Sequence, residues 1–300
     1  MSPDSPEPRP GFRAGYVALV GAPNAGKSTL LNRLVNLPLA IVTPRPQTTR
    51  HRILGIRNGP GYQALFLDTP GLLDPRYRLQ QLMRKEIETA LRDADASVAL
   101  FDARGRGPVA PVLELVRGRP SLLAVNKVDL VPSRELLPLV ARLAPSAEGR
   151  PVFLISALNG SGVDDLFAAV VETLPESEPY YPEDAVSERN ERFYVSEFIR
   201  EAVFTRYGEE IPYATTVTVD EFCEREGRKD YIRATVYVER ASQRRIVIGA
   251  GAAALKRVGT AARRRIERFL GRPVFLELRV KVAQDWRSSD PFIRENVYRQ

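Results

Sequence analysis

Eight residues, Gly21-Ala22-Pro23-Asn24-Ala25-Gly26-Lys27-Ser28, constrain this chain more than any other stretch. They fit G-x-x-x-x-G-K-[ST]. The apolar run Tyr16-Val17-Ala18-Leu19-Val20 precedes them, and Thr29 to Val35, with leucines at helical spacing, follows. Strand, glycine loop, helix is the context a phosphate-binding loop requires. The glycines allow a tight fold that turns N–H groups inward, and the helix N-terminus adds a field favouring an anion. In that role Lys27 reaches the terminal phosphates and the Ser28 hydroxyl ligates Mg²⁺. Alone, the motif also fits an ordinary glycine turn, so the residues that follow decide.

Pro38 to Gln47 is proline-rich without a helical period and reads as a long mobile connection into Thr48-Thr49. Neighbouring strands are expected at Arg52–Ile56 and Gln63–Leu67. The second ends at Asp68-Thr69-Pro70-Gly71, where the carboxylate is placed to hold Mg²⁺ through water and the Gly71 N–H to meet a terminal phosphate. Buried-type strands Ser97–Phe101 and Leu122–Val125 flank a helical stretch, and the latter delivers Asn126-Lys127-Val128-Asp129. A carboxylate two residues beyond a lysine can accept from both the N1–H and the exocyclic amine of guanine, a donor pair adenine lacks. A further strand, Val152–Ile155, ends in Ser156-Ala157-Leu158, whose backbone can meet the base edge. Strands alternating with helices, and loops at strand ends, imply an α/β doubly wound, mostly parallel sheet that binds a guanine nucleotide at its carboxy edge.

This set of motifs, with Pro46-Gln47-Thr48-Thr49-Arg50-His51-Arg52, resembles translation-factor-type GTPases of the Era branch. The resemblance implies that Lys27, Thr49 and Gly71 serve catalysis and that Ser28, Thr49 and Asp68 serve Mg²⁺, with Thr48 a neighbour of the metal threonine. It makes Gly21 to Thr29, Asp68 to Gly71, Asn126, Lys127, Asp129 and Ser156 to Leu158 the nucleotide site. Asn24 in the Pro-Asn pair implies a K⁺ site against the phosphates. Leu72 stands where better-known small GTPases carry a water-orienting glutamine, so intrinsic hydrolysis is expected to be slow.

Charge divides the chain. Of a net +7, Ala241 to Gln300 carries fourteen Lys/Arg against five Asp/Glu, a surplus of nine, so the preceding residues sum to −2. A polyanion, nucleic acid before membrane, is the partner this suggests for the carboxy-terminal part. One cysteine, Cys223, excludes an intrachain disulfide and a cysteine-rich zinc site, and fits a reducing cytosol. No apolar run approaches the roughly 20 residues of a membrane span.

Residues 1–13, proline-rich and polar, are expected to form a disordered tail, 14–175 the GTPase domain, 176–190 a linker, 191–287 a second domain and 288–300 a tail. A charged amphipathic helix from Glu191, strands Thr216–Val219 and Ala234–Val238 around a turn near Gly227, a helix–glycine turn–helix, and strand Val274–Val280 resemble a smaller α+β KH domain of the bacterial type. The resemblance to Era spans about Ala14 to Arg287. It implies binding of GTP or GDP, of the 3′ end of 16S ribosomal RNA and of the 30S subunit by a monomer, which is cytoplasmic with peripheral inner-membrane association. RNA would meet Arg244, Arg245, Ile248, Gly249, Ala250, Gly251, Ala252, Lys256 and Arg257. Ala250 replaces a usual lysine and Ala252 a usual closing glycine; Ala252 is expected to be helical or extended.

Overall fold

The computed structural model describes residues 11–298, so residues 1–10 of the expected tail 1–13 lie outside the described residues, while Arg13 corrects its end: it opens the first strand and its Nη1 donates to the Leu174 carbonyl at 2.7 Å. In chain order the elements are β1 (Arg13–Gly21), α1 (Lys27–Val35), β2 (Ile53–Gly59), β3 (Tyr62–Asp68), α2 (Arg78–Asp93), β4 (Ala96–Asp102), α3 (Ala110–Leu115), β5 (Ser121–Asn126), α4 (Ser133–Ala147), β6 (Val152–Ile155) and α5 (Val163–Thr173). They continue with α6 (Glu191–Arg206), β7 (Thr216–Cys223), β8 (Asp230–Val238), α7 (Ala241–Ile248), α8 (Ala253–Leu270), β9 (Val274–Val282) and α9 (Asp290–Ile293).

The chain forms two compact units, and their membership differs from the expected boundaries. Among the described residues, one unit holds 11–40, 49–73 and 84–188; the other holds 41–48, 74–83 and 189–298. The first unit is built on a six-stranded sheet of order β2-β3-β1-β4-β5-β6, parallel except for the β2–β3 hairpin. Every residue of β4 and β5 is buried, the pattern of strands covered on both faces. β1 pairs with both β3 and β4, so strand order reverses at its end, and the glycine loop leaves from that switch point. The expected linker is not a free connection. Tyr181 and Ala185 pack on the core of this unit, and Gln63 is bonded to the backbone of Tyr180 and Tyr181.

In the second unit β7, β8 and β9 make a sheet with β7–β8 antiparallel and β8–β9 parallel. α6 packs on α8 and β7, and α8 runs along β9. α6 is less amphipathic than its sequence suggests, since Phe193 to Arg200 are buried without a break and the charges inside that run pair with each other. The expected tail beyond 287 is a further correction. Ile293 and Val297, four apart on helical backbone, are buried with Trp286, Leu79 and Met83. That cluster draws residues 74–83 into this unit. Residues 41–48 likewise have no regular structure but are bonded down: Thr48 Oγ1 donates to the Arg45 carbonyl at 2.8 Å, and Arg45 Nη1 to that of Phe204 at 2.6 Å.

Candidate nucleotide site and nucleic-acid groove

In the first unit the carboxy ends of β1, β3, β4, β5 and β6 bring the predicted loops to one edge of the sheet. α1 starts at Lys27 directly after Gly26, with no side-chain cap and no acidic residue in its first turn, which leaves its first N–H groups to an anion. Lys27 is buried, and its Nζ donates to the carbonyls of Gly21 (3.1 Å) and Ala22 (3.0 Å). Burial draws its ammonium down to about 8; Asp68 opposes this and Lys127 adds to it. Asp68 ends β3 wholly buried, and burial pushes it up to about 6 against Lys27, Ser28, Thr49 and the Thr69 backbone. Ser28 Oγ donates to Asp68 Oδ2 at 2.6 Å and lies 2.8 Å from Thr49 Oγ1. Thr49 is therefore the threonine beside Ser28. Gly71 fits because any Cβ there would sit 2.6 Å from Pro23 Cα in the phosphate loop. Leu72 is turned into the core while its N–H donates to the Gly21 carbonyl at 3.0 Å.

The other end of the candidate site is organised by Asn126. Its Nδ2 donates to the Ala25 carbonyl at 2.8 Å, and its Oδ1 accepts from the N–H groups of Lys127 (2.8 Å) and Ala157 (2.9 Å). One amide thus ties the phosphate loop, the Asn126–Asp129 turn and the Ser156–Leu158 loop together. A Cβ on Gly26 would fall 2.2 Å from Asn126 Nδ2, which excludes a side chain there. Lys127 has left-handed backbone, φ 71°, and its Nζ donates to Asp102 Oδ2 at 2.9 Å and to the Asn24 carbonyl. Asp129 follows on an exposed turn. Asp102 was not singled out from sequence, although it ends a buried strand as Asp68 does. Burial alone would raise its carboxyl, but bonds from Arg104 and Lys127 outweigh that and hold it well below the usual carboxylate range. Asp102 fixes the Lys127 head against the phosphate loop.

Hydroxyls of Ser28 and Thr49 against a buried carboxylate form a hard-oxygen set suited to Mg²⁺. Asp68 Oδ1 is buried without a hydrogen-bond partner, an acceptor such as metal-bound water would satisfy. Among the described residues there is no cluster of three or more His, Cys, Asp or Glu that could hold a metal ion.

In the second unit, a groove of about 460 Å³ runs between α8 and β9. Of the predicted residues it takes in Ala252 and Lys256, and it adds Lys229 and Arg263 over an apolar floor including Leu255 and Leu278. Arg244 is bonded instead to the Val280 carbonyl. The glycine turn corrects one expectation. Ala252 is left-handed, with φ 60° and ψ 16°, as is Gly251 before it, with φ 53° and ψ 29°. An alanine there carries a Cβ clash of about 1–2 kcal/mol, partly offset because glycine has a more disordered unfolded state. Ala252→Gly is expected to stabilise this unit by about 0.5–1 kcal/mol, seen in denaturant unfolding followed through Trp286, the chain's one tryptophan. An unchanged midpoint would contradict the left-handed turn.

Residues 16–127 match the family described as 50S ribosome-binding GTPase, and residues 210–287 match the KH domain family. GTPase Era of Carboxydothermus hydrogenoformans is 40% identical over 291 residues, covering 94% of this chain and 97% of that protein. GTPase Era of Geobacter metallireducens is 42% identical over 292 residues, covering 96% and 98%. Among solved structures, a variant of Aquifex aeolicus Era bound to GDP and AlF₄⁻ superposes with a TM-score of 0.91 at 34% identity, over 96% of this chain and 99% of that one. The same values hold for Era in complex with MgGDPNP and nucleotides 1506–1542 of 16S ribosomal RNA.

Proposed function

Because this chain belongs to the Era family of GTPases, we propose that GTP and GDP set its grip on the 3′ end of 16S ribosomal RNA, and that it assists assembly of the 30S subunit. The observation that carries the switch is the Ser28–Thr49–Asp68 cluster, where three separate segments meet within hydrogen-bond reach. Mg²⁺ bound there would be held by Ser28, Thr49 and Asp68, and would supply positive charge against the β- and γ-phosphates. Lys27 adds a second positive charge, and the N–H groups of the glycine loop and of Gly71 receive phosphate oxygens. Loss of the γ-phosphate removes what holds the Thr49 and Gly71 segments.

The groove supports the RNA half of the reading. It pairs an apolar floor with Lys229, Lys256 and Arg263, which suits single-stranded bases and their phosphates. We place the protein in the cytoplasm as a monomer. The basic carboxy-terminal part also suits peripheral attachment to the inner membrane, and no helix among the described residues is long and apolar enough to cross one. The test is binding of a labelled RNA carrying the 16S 3′ end to protein loaded with GDP or a non-hydrolysable GTP analogue, with a scrambled RNA beside it. Tighter, sequence-selective binding in the GTP form is expected; binding indifferent to sequence and nucleotide would overturn the RNA switch.

A second reading, a nucleotide-gated binding module with negligible turnover of its own, is favoured by Leu72. It is packed in the core and offers nothing to an attacking water. Single-turnover hydrolysis with and without small subunits separates the two. Asn24, left-handed at φ 61° in the phosphate loop, brings a neutral amide oxygen of the kind K⁺ takes. With K⁺ in place of Na⁺, GTP turnover is expected to rise by about tenfold or more, as an added charge at the transferring phosphoryl group would produce. Equal rates in the two salts would remove K⁺ from the mechanism.

A further inference from the structure

The Ser156–Leu158 loop must be held at the base edge, and Asn126 holds it from one side only. A second grip comes from Arg33, near the end of α1. Its Nε donates to the Ala157 carbonyl at 3.3 Å and its Nη2 to the Leu158 carbonyl. The turn closes tightly beneath, with Gly160 N–H on the Ser156 carbonyl (2.8 Å) and Asn159 N–H on Ser156 Oγ (3.3 Å). Gly160 has φ 95°, and a Cβ built on it would lie 3.7 Å from Arg33 Nη1, so the loop folds around the guanidinium. Leu158, in spite of its apolar side chain, is 70% exposed.

We propose that Arg33 is a positioning residue for base recognition: it fixes the Ser156–Leu158 loop so that its backbone and the Leu158 side chain meet the guanine. α1 begins with Lys27 and Ser28 and carries Arg33 less than two turns later, so one rigid helix registers the base loop against the phosphate loop. A guanidinium suits the task because its fork spans two adjacent carbonyls at once, which an ammonium does less well. The proposal rests on the guanine-site reading above and divides the labour within it. Asp129 reads the exocyclic amine, which separates guanine from hypoxanthine. The loop backbone donates to O6, which separates both of these from adenine.

The experiment measures affinities of wild-type protein, Arg33→Ala and Arg33→Lys for GDP, IDP and ADP, together with single-turnover hydrolysis of bound GTP. Losing two hydrogen bonds to the loop is expected to weaken GDP and IDP alike by about five- to tenfold. ADP affinity should hardly move, so that preference for GDP over ADP falls by the same factor. The GDP-to-IDP ratio should stay at its wild-type value and hydrolysis of bound GTP within about twofold, with Arg33→Lys recovering part of the loss. A GDP-to-ADP preference unchanged in Arg33→Ala, or hydrolysis lost with affinity kept, would overturn the proposal. Wild-type protein that fails to prefer GDP over IDP would instead overturn the guanine-site reading itself.

Discussion

Asp129→Asn is expected to lower affinity for GDP and GTP by about a hundred- to ten-thousandfold while leaving the fold intact. Asp129 is exposed on the turn after β5, so its replacement leaves no buried group unpaired. In the proposed site a carboxylate there would accept two hydrogen bonds from guanine, each charge-assisted and worth about 1.5–3 kcal/mol. The amide keeps one acceptor and sets a donor against the other guanine donor, so one bond is weakened and the second becomes a repulsion. Xanthine carries a carbonyl where guanine carries the exocyclic amine, and that carbonyl accepts from the new amide. XDP binding should accordingly rise as GDP binding falls. Displacement of a fluorescent GDP analogue by GDP, XDP and ADP checks all three. GDP affinity held within a factor of about ten would mean that the base is read elsewhere.

That prediction needs little beyond the sequence, because the nucleotide site is made of short segments whose chemistry is local. Gly26, Lys27 and Ser28 act through backbone geometry and charge that the letters already state, and each segment is delivered by the end of a buried strand. What the letters hide is partnership. Asp102 takes on meaning only when Lys127, twenty-five residues on, is seen to donate to it. Arg33 looks like one more basic residue near a helix end until the loop at Ala157 closes over it. α4 is masked by Pro138 and Pro145, which ordinarily end a helix and here lie within one. At Ala252 a rule of local propensity gave the wrong conformation, since the turn and not the residue sets φ. Residues 41–48 and 74–83 belong by motif order with the nucleotide loops. Both segments nonetheless pack with the second unit, where Ile41, Thr48, Leu79 and Met83 are buried, a tertiary fact no window of sequence contains.

The largest expected change in stability lies in the second unit, at a pair whose burial the sequence also concealed. Glu197 and Arg200 are one helical turn apart on α6, with side chains 5% and 2% exposed. Arg200 Nε donates to Glu197 Oε1 at 2.8 Å, Nη2 reaches Oε2, and Nη2 also donates to the Thr48 carbonyl at 2.6 Å. Its guanidinium lies 5.2 Å over the Phe204 ring. Glu197→Ala leaves that cation buried with its charge uncompensated, which is expected to cost about 3–5 kcal/mol, far more than the pair itself contributes over an apolar replacement. The double variant Glu197→Met with Arg200→Met removes both charges and fills similar volume, so most of the loss should be recovered. It forfeits the bond to Thr48 and the stacking of the guanidinium on Phe204. Trp286, buried in the same unit, reports the transition in guanidinium chloride without labels. A midpoint that falls steeply for Glu197→Ala and returns in the double variant, at unchanged slope, isolates the cost of the stranded charge. If the double variant is as unstable as the single one, the two side chains serve α6 through packing and the Thr48 bond, and the ion pair is incidental.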